Sequence, residues 1–174
     1  MSDVPILQTP RLVLRAHRVD DFDDLAAMWA DPDVTRHIGG KPSAPAESWS
    51  RLHRYRGHWA LLGYGFWAVE ARESGRFLGD IGLADFHRGL EHPFTGAPEA
   101  GWALASWAHG RGYASEALGA VLAWGDARFG SPRVWCIIAP DNAASIRVAE
   151  KAGFARHSQI EFHGDPTLVF ARRG

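Results

Sequence analysis

The chain has 174 residues, 46% of them hydrophobic and 22% charged, with eight tryptophans. That composition excludes a disordered tail, a collagen-like rod and an extended charged coil, and the length suits one domain. Nineteen basic residues face 20 acidic ones for a net charge of −1, so no broad basic face is left to neutralise a nucleic-acid backbone. The single cysteine, Cys136, lies in an apolar run at 134–138 and reads as a buried structural thiol. No basic-then-apolar leader opens the chain and no run of about eighteen apolar residues occurs, so one soluble, cytoplasmic domain over 1–174 is expected, with no membrane partner.

Residues 11–15 alternate apolar and polar side chains after Pro10, as a half-buried strand does. Asp20 can cap a helix with Phe22, Leu25, Ala26 and Trp29 on one stripe, ended at Asp31-Pro32 because proline disfavours helical geometry in the residue before it. A second helix spans 45–62. Strands at 66–70 and 77–83 flank a glycine-containing turn at 73–76 and form a hairpin, and a Pro/Gly-rich loop at 89–98 leads to a strand at 99–104. Residues 112–129 repeat apolar side chains at helical spacing, 134–138 are a buried strand, and a helix opened by Asp141 or Asn142 closes at Gly153. Strands at 154–162 and 167–172, joined through 163–166, make a terminal hairpin.

The glycines of Trp107-Ala108-His109-Gly110-Arg111-Gly112-Tyr113-Ala114-Ser115-Glu116-Ala117 fall between a strand and a helix. Bare backbone N–H groups at a helix start can approach a phosphate closely, and the helix dipole favours the negative charge. Neither common glycine loop fits. Ser115 stands where the dinucleotide fingerprint needs a small third residue and no acidic residue ends the following strand, while the nucleotide P-loop needs a Gly-Lys-Ser/Thr ending that is missing. Taken alone, the pair of glycines more often marks an ordinary strand-to-helix turn. A second segment, 141–154, begins a helix right after a buried strand and holds the chain's one asparagine, Asn142, which could simply be a cap.

Together with Leu7-Gln8-Thr9-Pro10-Arg11-Leu12-Val13-Leu14-Arg15, these two segments make the sequence resemble the GCN5-related N-acetyltransferase (GNAT) superfamily, in its RimJ/RimL-like branch. The resemblance spans nearly the whole chain. It implies an α+β fold: a splayed, mixed, mostly antiparallel sheet of seven strands flanked by about four helices, in the order β-α-α-β-β-β-α-β-α-β-β. It implies acetyl-CoA as co-substrate, wedged between the strand at 99–105 and that at 133–138. Its pantetheine arm would pair with backbone at Trp102, Leu104 and Ala105, and its diphosphate would meet His109, Gly110, Arg111, Gly112, Tyr113, Ala114 and Ser115. Asn142 and Ser145 would face the pantetheine and sulfur end, with Lys151 nearer the nucleotide, and Gly101 would let the thioester approach the backbone.

Two positions depart from the family pattern. Trp107 stands where Gln or Arg is usual, and Ala149 stands where many members carry a tyrosine that protonates the leaving thiolate. Ser145 is then the candidate to hydrogen-bond the departing sulfur, a modest demand for a thiol of pKa about 8.5. The resemblance implies direct attack of an amine on the thioester, with Glu99 as base or water organiser. Deprotonating an α-amine at pH 7 costs only about 1 kcal/mol, against more than about 4 kcal/mol for lysine, so a peptide N-terminus is the expected acceptor, ahead of an amino acid or antibiotic amine. Glu116 reads as structural, holding the loop.

Trp29, Asp31 and Trp67 are candidates to line the acceptor groove, while Asp80 and Asp85 read as solvated. No metal site is expected, because His87, Glu91 and His92 lack a ligand spacing. A non-catalytic acyl-CoA-binding module is the alternative from another class, and the aromatic content makes a homodimer an expectation.

Overall fold

The computed structural model of the chain describes residues 4–90, 94 and 96–173, so Glu91 and His92 lie outside the described residues. The elements in chain order are β1 (Leu7–Gln8), β2 (Leu12–Arg15), α1 (Phe22–Ala30), α2 (Pro32–Thr35), α3 (Pro45–Leu62), β3 (Phe66–Ala71), β4 (Phe77–Ala84), β5 (Glu99–Leu104), α4 (Tyr113–Phe129), β6 (Val134–Ile138), α5 (Ala143–Lys151), β7 (Ala155–Phe162) and β8 (Asp165–Arg172). One sheet runs β1-β2-β3-β4-β5-β6-β8-β7. It is antiparallel throughout except at β5 and β6. The architecture is the expected α+β one, with eight strands in place of seven because Leu7 and Gln8 pair back onto Leu14 and Val13. Among the described residues no helix is long and apolar enough to cross a membrane.

Local chemistry explains most boundaries. Proline at 32 does end α1, but Asp31 then accepts Asp33 N–H at 2.9 Å and starts the short helix α2, which the sequence reading lacked. Glu47 accepts the N–H of Ala44 at 2.7 Å and closes the first turn of α3. The terminal hairpin turns more tightly than expected. Phe162 pairs with Asp165, and His163 and Gly164, with φ of 53° and 86°, form a two-residue turn of the type that matches strand twist.

The sheet is covered on both faces. In β3, Trp67 and Val69 point toward α4, while Phe66 and Ala68 point toward α1 and α3. On the α4 side Ala117, Leu118, Val121 and Leu122 pack over the sheet, and Trp67 meets Trp59 and Trp124 at ring separations of 4.6 and 5.1 Å. On the opposite face Asp80 is fully buried, not solvated. One of its oxygens lies 2.7 Å from His17 Nε2 and the other accepts the Trp29 indole N–H at 3.0 Å. Burial, followed by the charge of Asp80, holds the Tyr55 phenol well above its usual pKa.

Removing Asp80 would strand the His17 and Trp29 nitrogens in a dry core. Asp80→Ala is expected to lower unfolding stability by about 3 kcal/mol or more in urea titration. A loss below about 1 kcal/mol would show that the buried pair contributes no net stability.

Candidate active site

Between β5 and β6 the sheet comes apart. The two strands share a single register pair, Glu99 with Trp135, fastened by Trp135 N–H to the Pro98 carbonyl at 3.2 Å. Ala105 N–H donates to Leu78 O on β4 at 2.9 Å, so by the two-residue alternation of a strand the main-chain groups of Trp102 and Leu104 point the other way, into the split. The Leu104 carbonyl is met by His109 Nε2 at 2.8 Å. Trp102 and the N–H of Leu104 therefore face the gap. Ala105 does not, because its N–H is already engaged within the sheet.

The glycine loop opens at the end of β5. Gly110 and Gly112 take φ of 73° and 77°, a left-handed backbone that residues with a Cβ rarely adopt. Gly112 immediately precedes the first turn of α4. Main-chain N–H groups from Gly110 through Ser115 have no acceptor among the described residues, the next amide, Glu116, being the first to close back, onto Gly112 O. Such converging donors at the start of a 17-residue helix suit an anion. The loop is held by Glu116, which accepts from Thr9 Oγ1 at 2.6 Å, Arg11 N–H at 2.9 Å and Arg11 Nε at 2.7 Å, while Arg11 Nη1 donates to the Arg111 carbonyl at 2.9 Å. The Thr9-Pro10-Arg11 stretch of the first motif thus serves as the anchor of the second.

Across the split, Asn142 Oδ1 accepts Ser145 N–H at 3.1 Å and caps α5. Trp102 Nε1 donates to Ser145 Oγ at 3.3 Å, joining the two lips side chain to side chain. Because the indole occupies an acceptor position of the serine, the Ser145 hydroxyl proton is left to donate elsewhere. Ala149 is fully buried, so no side chain at that position reaches the gap. Lys151 lies apart, in a cleft of about 240 Å³ between α4 and α5 that it shares with Ser115, Gly119 and the Asp126–Arg172 ion pair.

Glu99 is neither exposed nor free. It is 3% exposed, and Arg88 grips it with two bonds, Nε to Oε2 at 2.8 Å and Nη2 to Oε1 at 3.0 Å. Burial raises its pKa and Arg88 opposes the rise, leaving the carboxyl above its ordinary value. The Arg88 guanidinium also lies over Phe86 at 4.5 Å and over Phe162 at 5.3 Å, so it joins β5 to the terminal hairpin. Nothing in the sequence singled out Arg88, which sits in an irregular loop. The bare Cα of Gly101 is covered rather than open: a Cβ there would stand 2.8 Å from the Phe66 ring edge.

Of the three acceptor-groove candidates, two are core residues. Trp67 has no exposed surface and donates to Pro5 O at 2.8 Å, and Trp29, at 5% exposure, is turned inward to Asp80. Aromatic size at strand and helix positions signals packing here. Asp31 does lie at the split. It accepts from Ser106 Oγ, just beyond β5, while His37 Nδ1 lies 3.1 Å from Asp141 Oδ1, just before α5. The segment from Asp31 to His37, which carries α2, therefore touches both lips.

A model of the acetyltransferase (GNAT) domain matches residues 11–155. The chain is 30% identical over 160 residues to the uncharacterized N-acetyltransferase YoaA of Bacillus subtilis, covering 90% of this chain and 86% of that one. Its structure resembles that of a protein of Bordetella pertussis described as a GNAT-family acetyltransferase, with 35% identity, a TM-score of 0.85, and coverage of 97% of this chain and 99% of that one. It also shares its fold, at 18% identity and a TM-score of 0.79, with RimL, a ribosomal L7/L12 α-N-protein acetyltransferase solved in complex with coenzyme A, covering 97% and 98% of the two chains. The chain belongs to the GNAT acetyltransferase family and is an acetyl-CoA-dependent acyltransferase.

Burial alone would raise the Glu116 pKa, but the Thr9 hydroxyl and the Arg11 N–H and guanidinium together hold it below the ordinary value. A depressed folded-state pKa means stability that is present above the unfolded value, about 4.3, and lost as pH falls through the folded one. Glu116→Gln is expected to be less stable than the parent at pH 7, with the difference closing as pH is lowered below about 4 in thermal melts. A difference independent of pH would assign the loss to packing alone.

Proposed function

We propose that the protein transfers an acetyl group from acetyl-CoA to the α-amine of a peptide N-terminus. The observation that carries the reading is the single-pair junction of β5 and β6, which leaves strand backbone unpaired beside an N–H cradle. The residues present fit the co-substrate. The main-chain groups of Trp102 and the N–H of Leu104, whose carbonyl is met by His109, suit an added strand-like amide chain, and the amides of Gly110 to Ser115 suit a diphosphate.

In the reaction the amine nitrogen adds to the thioester carbonyl carbon, the C–S bond breaks, the sulfur leaves with its electron pair and takes up a proton, and the nitrogen loses one. Ser145, polarised by the Trp102 indole, is the donor nearest the sulfur's side of the split. Glu99 accepts the amine proton through a water, with Arg88 fixing its oxygens. A carboxylate already paired with a guanidinium is a mild base, which suits an α-amine of pKa about 8 better than a lysine of pKa about 10.4. The fold shared with RimL supports the same class of acceptor.

An acceptor panel of peptides with varied first residues, free amino acids, polyamines and aminoglycosides, read by thiol release, tests the reading. Peptides are expected to give the highest kcat/KM, and turnover confined to the small amines would refute it. Glu99→Gln is expected to lower kcat by about a hundredfold while the Kd for CoA stays within about twofold. Unchanged activity from pH 6 to 9 in that variant would remove Glu99 from the chemistry.

A further inference from the structure

A second cleft lies beside the split. It has a volume of about 650 Å³ and lies between the turn after β3, the β1–β2 turn and the glycine loop, with Arg111 and Tyr113 forming one wall. Four arginines line it: Arg11, Arg72, Arg76 and Arg111. Arg11 is neutralised by Glu116. The other three guanidiniums have no carboxylate partner among the described residues, and only one carboxylate, Glu73, shares the cleft. Unpaired guanidiniums gathered at one place repel one another, and an anion is what would relieve that repulsion.

Two of them are also held in place. Arg76 lies over the exposed Trp107 ring, its Cζ 3.5 Å from the ring centroid, a cation–π contact that restricts the guanidinium. Arg72 is tethered through Nη1 to Thr9 O at 3.3 Å. Trp107, the residue that departs from the family pattern, is thus the platform of an arginine. A planar fork with restricted motion matches a phosphate monoester, whose oxygens accept paired N–H bonds. The competing cleft between α4 and α5 shares no residue with this one, is about 240 Å³, and holds only Lys151 and Arg172 against Asp126.

Resting on the proposed use of acetyl-CoA, the geometry points to the arginine cleft as the seat of the cofactor's 3′-phosphate, held by Arg72, Arg76 and Arg111. The cradle and the cleft meet at Arg111 and Tyr113, so a diphosphate on the loop and a monoester in the cleft occupy adjoining surfaces. This directs the nucleotide end toward the β3–β4 turn and away from Lys151.

Calorimetric titration of the full chain with CoA and with 3′-dephospho-CoA tests this. The parent is expected to prefer CoA by about tenfold or more. In Arg72→Ala/Arg76→Ala, whose unchanged melting temperature verifies folding, the preference is expected to fall to within about twofold through loss of CoA affinity alone, whereas Lys151→Ala is expected to keep it. Adenosine 3′,5′-bisphosphate is expected to compete with CoA in the parent more effectively than inorganic phosphate at equal concentration. Equal competition by inorganic phosphate would mean a general anion site and overturn the assignment. So would a preference that survives the double substitution or disappears in Lys151→Ala. A parent that binds both CoA forms equally overturns this inference alone, while one that binds neither overturns the proposed activity with it.

Discussion

Two neighbouring strands that meet at one residue pair and then diverge must leave main-chain donors and acceptors without partners. That constraint organises this protein. An open strand edge is ordinarily a liability, because any extended chain can pair with it. Here the edge at Trp102 and Leu104 is internal to the sheet and faces a partner strand that has already turned away. Side chains tie the lips of the split: Trp102 to Ser145 across the gap, Asp31 to Ser106 on one side and His37 to Asp141 on the other.

Charge is divided among three tasks in separate places. Glu116 and Arg11 hold the glycine loop against the first strands and leave its amides pointing outward. Glu99 and Arg88 form a nearly dry pair at the foot of β5, where burial pushes the carboxyl upward and the guanidinium pulls it back. Arg72, Arg76 and Arg111, beside the loop, have no carboxylate partner among the described residues, although Glu73 shares their cleft.

The core on the opposite face shows how far a polar group can be taken into the sheet when every neighbour answers it. Asp80 pairs across the ladder with Ala103, a small residue, and the room so left is filled by His17, Trp29 and Tyr55. Alternation along β4 marks Asp80 as a position that could be wet. The helices α1 and α3, packed over that face, make it dry.

The family, the α+β class, the starts of α3, α4 and α5 and the glycine loop were legible in the residues, because caps, breakers, left-handed glycines and helical spacing act over a few positions and leave local marks, whereas Asp20 does not cap α1, whose N-cap is Asp21. Asn142 as the cap of α5 and Glu116 as the fastener of the loop follow from such marks. Partnerships between distant segments leave none. The burial of Asp80, the grip of Arg88 on Glu99, the Phe66 ring over Gly101, the inward turn of Trp29 and Trp67, and the gathering of Arg72, Arg76 and Arg111 all depend on which chain segments the fold brings side by side, and no local pattern encodes that choice.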